Sequence, residues 1–463
     1  MKRLIISFFI FSTTFATTIN MPADSATIQV GVDGARFGDT DNDQLGTVGE
    51  PIEETYFDYL KALNYEQPKK YFLDSGRFLR KTVSSAEALA SYKIEEYRAY
   101  LNAYFPDAHS DHIQRFMIET YINQKEWGEV LAGLLKFTYL YQNSNLNGPV
   151  IENGSKIIQQ VKYYQSNRDK LLSLIQGKPE TVEIHDSFYE FLTSLRSFNE
   201  PGIKSLFKRE AWEYLRLYSD FPQASTVLIW LAEVELTNGA HHSAFMIYTK
   251  LKTLYPASPD FATALYQTGK LQQERFSEFE KAIGNFRQLL EQFPDDSLVA
   301  DAQYRIAVIT DQNLHDWTIA VAEYEQLATQ YPASIHTVPG LLRMGEIQAG
   351  KLKQKEEAVN TYNRIAAEYP GSIDQATEAL QRAGKLYEKS KSYEKAIDQY
   401  MSVHNNYPRT EGALVNLEKC AKLYEKKLER NDKAREILNI IIMDFPETKS
   451  AKKAAKRLKK LNK

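Results

Sequence analysis

An aromatic residue followed by proline recurs along the second half of the chain at a nearly constant spacing. The last six of these prolines follow one another at intervals of 38 residues, and the first precedes them by 34. A fixed period of 20 to 50 residues is typical of proteins built from stacked structural repeats. Because each repeat packs only on its neighbours, such a chain can be long without one large core. The pairs are Phe221-Pro222, Tyr255-Pro256, Phe293-Pro294, Tyr331-Pro332, Tyr369-Pro370, Tyr407-Pro408 and Phe445-Pro446.

Each period predicts two helices, which we name helix A and helix B. A Ser, Thr or Asp stands two residues after the proline, and these side chains accept hydrogen bonds from the free N–H groups of a first helical turn. Helix A is therefore expected to begin at this position. The residues concerned are Ser258, Asp296, Ser334, Ser372, Thr410 and Thr448.

Small and large residues alternate between the two helices of each period. A small residue in helix A allows close approach of helix B, and helix B carries alanine with a large residue four positions later, on the same helical face. Proline then ends helix B because it cannot continue the hydrogen-bond ladder. The small residues are Gly269, Ala307, Gly345, Ala383 and Ala421; the alanines are Ala282, Ala320, Ala358, Ala396 and Ala434; the large residues are Phe286, Tyr324, Tyr362, Tyr400 and Leu438.

This order of small residue, alanine, aromatic residue and proline resembles the tetratricopeptide repeat. The 34-residue unit after Pro222 carries Ala244 and Tyr248 at the corresponding positions. The resemblance implies an all-α fold, an α-solenoid in the form of a right-handed superhelix of about ten helical hairpins.

The same period continues in a weaker form toward the N-terminus. Pro68 and Pro106 are 38 residues apart. We expect degenerate helical repeats over residues 53–204, regular repeats over 205–446 and a basic capping helix over 447–463, its charges spread around the helix. One continuous superhelix is the favoured interpretation, and a separate N-terminal helical lobe is the alternative.

The N-terminal residues have the pattern of a secretory signal peptide. Two basic residues precede a short apolar run and small residues, which predicts a signal over residues 1–26 with cleavage near Ala16 or Ala26. The only cysteine, Cys420, lies far from this segment, so no lipid-anchor cysteine follows it. The sequence thus predicts an exported, soluble periplasmic protein, and association with the outer membrane is left open as an alternative.

A weak calcium-loop pattern lies in the segment that follows. Residues 27–52 are rich in Gly and Asp and are expected to be flexible. Within them, four acidic residues occupy positions 1, 3, 5 and 12 of a calcium-binding frame, but Gln44 stands where the turn glycine belongs. Accidental spacing in an acidic linker is therefore the preferred interpretation. The four residues are Asp39, Asp41, Asp43 and Glu50.

Other chemical patterns do not favour catalysis or nucleic-acid binding. His109 and His112 have a spacing that can hold a metal, but exposed polar positions on a helix are the simpler interpretation. The formal net charge is −3, which argues against a protein that binds nucleic acid over its whole surface. We expect a protein without enzymatic activity and without a cofactor.

The resemblance also implies where a partner would bind, because helix A lines the concave face in repeats of this family. Carrying that geometry over nominates Tyr266, Lys270, Gln273, Tyr304, Val308 and Asp311 for a protein-binding groove. Tyrosine is favoured at interfaces because it buries a large ring and keeps a hydroxyl for a hydrogen bond. The alternative is that these tyrosines pack between successive A helices.

The aromatic–Pro–x–Ser/Thr junction looks like the repeats of bacterial envelope proteins, the BamD-like assembly lipoproteins and the periplasmic partner of the Tol–Pal system. The leading hypothesis is a periplasmic scaffold that binds a protein or peptide in an outer-membrane or cell-envelope assembly. One alternative is an envelope protein that contacts peptidoglycan or lipid headgroups through Lys449–Lys463. Another is an accessory glycan-binding protein whose aromatic inner face stacks on sugars.

Overall fold

Helices make up the fold throughout the residues that the computed structural model describes, 52–65, 85–177, 183–198 and 201–461. Within these ranges there are twenty-one α-helices and no β-strand, so the predicted all-α class is confirmed. The predicted signal peptide, nearly all of the Gly/Asp-rich segment and the calcium-like frame lie outside the described residues.

The chain divides into two compact units, residues 1–227 and 228–463, which we call unit 1 and unit 2. The predicted boundary between degenerate and regular repeats at residues 204/205 remains a prediction, and so does the continuous superhelix. The helices of unit 1 are α1 (Ile52–Asn64), α2 (Ser85–Tyr104), α3 (Ser110–Gln124), α4 (Trp127–Leu140), α5 (Asn147–Gln160), α6 (Arg168–Ile175), α7 (Ile184–Arg196), α8 (Pro201–Leu217) and the start of α9 (Gln223–Thr237), with a 3₁₀ segment at Lys162–Asn167.

Helix α4 is the centre of unit 1. Its sequence is apolar around most of its circumference, and a helix of that kind is stable only when other helices surround it. It packs against α3, α5, α6, α7 and α8, and Val130, Leu134 and Phe137 are fully buried. Unit 1 is therefore organised around one helix rather than as a simple row of hairpins.

Unit 2 is a row of helical hairpins that matches the 38-residue period. From α10 to α21, each helix packs on the next helix in the chain. After α9 and α10 (His241–Leu254), the A helices are α11 (Phe261–Leu271), α13 (Val299–Val308), α15 (Thr337–Gly350), α17 (Ile373–Lys389) and α19 (Glu411–Lys426); the B helices are α12 (Phe279–Gln292), α14 (Trp317–Gln330), α16 (Lys355–Glu368), α18 (Tyr393–Asn406) and α20 (Asn431–Asp444); α21 (Lys449–Leu461) follows.

The predicted columns of small and large residues form the core of these hairpins. All five alanines of helix B are buried, as are the large residues from Phe286 to Leu438. The Cβ position of Gly345 would lie 2.5 Å from Cε1 of Tyr362, and that of Gly269 would lie 2.9 Å from Cε1 of Phe286. The small residue is therefore required where the aromatic ring of helix B lies against the backbone of helix A.

The predicted start of helix A is correct in some repeats and wrong in others. Thr410 is the N-cap of α19, where its Oγ1 accepts from the N–H of Ala413 at 3.1 Å. In α11, α13 and α15 the N-cap lies two residues later than predicted, at Asp260, Leu298 and His336. There, Ser258 and the equivalent Asp296 and Ser334 accept from the N–H two residues ahead, which forms a turn before the helix.

A residue with positive φ joins helix A to helix B in each of five repeats. Their φ angles lie between 55° and 60°, and none of them is glycine. Only the shorter hairpin, α9–α10, has glycine at this junction, Gly239 with φ 74°. The five residues are Ser277, His315, Lys353, Lys391 and Glu429, again at intervals of 38.

Candidate functional site

The A helices of unit 2 lie close enough together to form one surface. The backbones of α15 and α17, and of α17 and α19, approach within 8 Å between Cα atoms, although a B helix separates each pair in the chain. The outward side chains of successive A helices are therefore neighbours. We call this the A-helix surface.

Tyr266, a predicted contact residue, is buried between α11 and α13. Its hydroxyl donates to the carboxylate of Asp301, and Arg305 Nε donates to the same hydroxyl at 3.0 Å and to Asp301 at 2.8 Å. Burial, and then the hydrogen bond to Asp301, raises the pKa of Tyr266 to about 12. This tyrosine joins two repeats and presents little surface to a partner.

Asp311 is likewise an internal residue. It lies in the π-helical turn Ile309–Asn313 that ends the first helix of its repeat and is 1% exposed. Arg343 of the next A helix donates to its two carboxylate oxygens at 2.7 and 3.0 Å. The pairing of two nitrogens with two oxygens fixes both side chains.

The other four predicted residues are half-buried on the A-helix surface. Tyr304 stacks on His336 at the start of α15, with ring centroids 4.5 Å apart and planes 9° apart. Gln273 accepts from Arg305 Nη1 at 2.9 Å. Both tyrosines thus pack between successive A helices, as the alternative interpretation held, while Lys270, Gln273, Tyr304 and Val308 keep part of their surface exposed.

Charged pairs that cross between repeats are the feature that sequence reasoning missed. Besides Arg343 and Asp311, Arg382 of α17 pairs with Glu346 of α15, and Arg457 of α21 pairs with Glu425 of α19. A sequence signal existed, because each arginine follows its partner by 32 to 36 residues. It is visible only when successive periods are aligned for charge rather than for apolar residues.

The charge pattern changes at the C-terminal end of unit 2. In α19 a lysine, Lys419, takes the place that arginine occupies in α13 and α15. Burial, and then the positive charge of Lys385 on α17, lowers the pKa of Lys419. Between α17 and α19, two positive charges therefore approach each other. In the preceding repeats, positive and negative charges pair between the A helices.

Helix α21 has one apolar and one basic face, which corrects the expectation that its charges are spread around the helix. Ala451 and Ala454 are buried, and α21 packs on α20. The exposed lysines recur at helical spacing on the other side: Lys449, Lys452, Lys453, Lys456, Lys459 and Lys460. The helix therefore covers the last hairpin and leaves a basic face in solvent.

The two spaced histidines do not form a metal centre. His109 Nε2 lies 2.9 Å from Glu54 Oε1, and His112 Nδ1 lies 2.7 Å from Asp111 Oδ1. No group of three metal-ligating side chains occurs in the part of the chain that the structure describes. The described helices also include none that is long and apolar enough to cross a membrane.

Comparison with known proteins identifies the repeats. Residues 263–296, 340–372 and 378–410 match the family model of the tetratricopeptide repeat, so the chain contains tetratricopeptide repeats. No match was found among curated proteins.

Similar solved structures are repeat proteins of low sequence identity. A tetratricopeptide repeat protein from Parabacteroides merdae is 18% identical over 60% of this chain and 99% of that chain, with a TM-score of 0.33. YrrB, described as a TPR protein with an unusual peptide-binding site, is 17% identical over 45% and 97%, with a TM-score of 0.31. PilW, described as a type IV pilus biogenesis factor, is 17% identical over 50% and 99%, with a TM-score of 0.27.

Proposed function

We propose that this protein is a non-enzymatic scaffold that binds a protein partner or an extended peptide on the A-helix surface of unit 2. The observation that carries the proposal is the contact between successive A helices. Cα atoms of α15, α17 and α19 approach within 8 Å, and Arg305 of α13 bonds to Tyr266 of α11 and to Gln273 just after it. Arg343 and Arg382 hold neighbouring A helices in register through buried and half-buried carboxylates. A surface held in this way is preorganised, which lowers the entropy cost of binding.

The half-buried residues of α11, of the π-helical turn Gln272–Phe276 after it and of α13 are the proposed contact residues. Lys270 offers a charge, Gln273 an amide, Tyr304 a ring and Val308 an apolar side chain. Tyr266 and Asp311 support this surface from beneath and are not contact residues in the proposal. A partner that covers Val308 and the exposed edge of Tyr304 would gain apolar burial beside polar groups, the composition of an interaction hot spot.

The test is capture of a partner by crosslinking from native cell fractions. Val308→Asp and Lys270→Glu place charges on the A-helix surface without touching the buried network. Ile319→Asp is the matched control, because Ile319 is 49% exposed on the B helix α14. We expect one defined protein to be captured by the wild type and the control and lost with both surface variants. Capture that is equal with all four proteins would contradict the proposed surface.

We further propose that the protein acts in the periplasm as part of an outer-membrane or cell-envelope assembly. The support is the charged, apolar and small-residue pattern of residues 1–26, which is typical of an export signal. Cell fractionation with mass spectrometry of the mature N-terminus tests this location. A mature chain that begins just after Ala16 or Ala26 in the periplasmic fraction is expected. An unprocessed chain in the cytoplasm would contradict it.

A second candidate function is contact with an anionic envelope polymer or lipid headgroup, and the one-sided basic face of α21 favours it. Changing Lys452, Lys453, Lys456 and Lys459 to Gln removes charge and leaves Ala451 and Ala454 in place. If the face binds anions, sedimentation with anionic liposomes or peptidoglycan falls steeply in the variant while its melting temperature stays the same. Because exposed charges are screened by salt, wild-type binding should also weaken at high salt.

A further inference from the structure

The glycines of α15 and α17 mark equivalent positions in two successive A helices. A Cβ atom added at Gly345 or at Gly384 would collide with the buried tyrosine ring of the B helix that follows. The residue after the glycine is Glu346 in α15 but Lys385 in α17. An amine therefore occupies in one repeat the position that a carboxylate occupies in the repeat before it.

The contact of Glu346 shows what this position does. Its carboxylate accepts a hydrogen bond from Arg382, which lies two residues before the glycine of α17. In α19, the residue two positions before the buried small residue is Lys419. Opposite charges thus join α15 to α17, and they also join α19 to α21. Between α17 and α19, the same two positions hold the cations Lys385 and Lys419.

Lys419 is half-buried at this junction and has neutral neighbours. Its Nζ atom lies 4.8 Å from the ring centroid of Tyr400 and 3.4 Å from Oδ1 of Asn416. Burial, and then the positive charge of Lys385, lowers the pKa of Lys419, and the negative charge of Glu388 only partly opposes this effect. The Glu388 carboxylate accepts from Tyr400 Oη at 3.1 Å. Neither lysine forms an ion pair with any residue that the structure describes.

We propose that Lys385 and Lys419 together bind the carboxylate of an Asp or Glu side chain in an extended partner. Like charges repel at short distance, and burial removes part of the water that stabilises an ammonium group. A carboxylate that accepts from both ammonium groups relieves both effects, as Glu346 accepts from Arg382 one repeat earlier. The inference rests on the scaffold function proposed above and specifies one partner residue and the place where it binds.

The spacing of the A helices predicts where this acidic residue lies in the partner. Val308 of α13 is also the residue after the small residue of its helix, so it belongs to the same column as Lys385. Packed helices are about 8–10 Å apart, which places Val308 roughly 20–25 Å from the two lysines. An extended chain advances about 3.3 Å per residue. The acidic residue is therefore expected about six to eight positions from the residue that covers Val308.

The test is selection of random peptides of about 16 residues, displayed on phage, against the full-length protein. The peptides are fused through their C-termini, so that only side chains can supply a carboxylate. Parallel selections use the double variant Lys385→Gln/Lys419→Gln and the variant Val308→Asp. Lys281→Gln is the matched control, because Lys281 is an exposed lysine on the B helix α12.

We expect the wild type and Lys281→Gln to select peptides that carry Asp or Glu at the predicted distance from an apolar residue, and the double variant to select no excess of acidic residues. In a synthetic copy of a selected peptide, replacing the acidic residue by its amide should weaken binding to the wild type about tenfold, the loss of one charge-assisted hydrogen bond, and leave binding to the double variant unchanged. Peptides that depend on Val308 without an excess of acidic residues would overturn the inference and leave the scaffold function standing. Selection of no peptide that depends on Val308 or on the lysines would contradict both.

A charge-reversal variant gives a second measurement, which needs no partner. Lys385→Glu places an acidic residue where α15 has Glu346, so it should raise the urea midpoint of unfolding and at the same time prevent binding of the acidic peptide. Lys385→Gln removes only the repulsion from Lys419, and its midpoint should lie between those of the wild type and Lys385→Glu. A lower midpoint for Lys385→Glu than for Lys385→Gln would show that a carboxylate does not fit between α17 and α19, and would overturn the proposal.

Discussion

At the scale of single residues, stability in unit 2 depends on helix-A positions where a methyl group does not fit. The Cβ of an alanine at position 345 would lie 2.5 to 3.0 Å from three ring atoms of the buried Tyr362. Overpacking of this kind costs roughly 1–3 kcal/mol, more than the ~1 kcal/mol that alanine gains over glycine in a helix. Gly345→Ala is therefore expected to lower the midpoint of thermal unfolding, followed by circular dichroism.

The matched control is Gly284→Ala in the middle of α12. Its Cβ would meet no atom within 4 Å, so only the gain in helix propensity remains. We expect this variant to unfold at the same temperature as the wild type or higher. If both variants shift in the same direction, contact with Tyr362 is not the reason for glycine at position 345.

A buried charge cluster in unit 1 gives the second prediction. Glu210 of α8 is 4% exposed and pairs with Lys136 of α4 and with Arg209, which also holds Glu129. Removing one member leaves buried positive charge uncompensated, at a cost of about 3–5 kcal/mol. Glu210→Gln should lower the urea midpoint accordingly. Glu213→Gln breaks the more exposed pair with Arg216 and should cost less than ~1 kcal/mol.

This cluster also sets a pH dependence. Burial raises the pKa of Glu210, but the charges of Lys136 and Arg209 outweigh that effect and hold the pKa below its ordinary value. The stabilisation is thus complete above the unfolded pKa of about 4.3 and is lost as the pH falls through the lower folded value. The difference in urea midpoint between wild type and Glu210→Gln should shrink between pH 7 and pH 3. A constant difference would exclude an ionic contribution.

At the scale of elements, the junction between helix A and helix B carries strain that glycine would remove. Lys391 has φ 59°, and its N–H donates to Glu388 O at 3.0 Å in a left-handed helix end. This conformation costs a non-glycine residue roughly 1–2 kcal/mol, while glycine adds entropy to the unfolded chain. Lys391→Gly is expected to stabilise unit 2 by up to about 1 kcal/mol in urea unfolding.

The neighbouring residue supplies a variant with the opposite expected sign. Ser390 has φ −89°, and its hydroxyl donates to Leu386 O at 3.0 Å. Ser390→Gly gains no relief of strain and loses that hydrogen bond, so it should destabilise by roughly 0.5–1 kcal/mol. Equal effects of the two glycine substitutions would show that the backbone angle at position 391 is not a source of strain.

At the scale of the whole molecule, the 38-residue period predicted the buried residues within each hairpin. It missed the side-chain contacts that join one A helix to the next. The buried alanines and aromatics of helix B followed directly from spacing. The burial of Tyr266 and Asp311 did not, because their partners Asp301 and Arg343 lie on the next A helix. Unit 1 has no regular period, so the central place of α4 could not be predicted from proline spacing. The residues with positive φ that join helix A to helix B could not be predicted either, because none of the five is glycine.

The division into two units makes a prediction for hydrogen exchange measured by mass spectrometry. In stacked repeats, contacts run only between neighbours, so a local defect lowers protection nearby first. Gly345→Ala should increase exchange in α15 and α16, less in α14 and α17, and leave α4 and α7 unchanged. Glu210→Gln should increase exchange in α4 and leave α15 and α16 unchanged, because the contacts of Glu210 lie within unit 1. If either substitution increased exchange evenly from α2 to α20, the chain would unfold as one cooperative body. A substitution that destabilises one unit would then destabilise the other to the same extent.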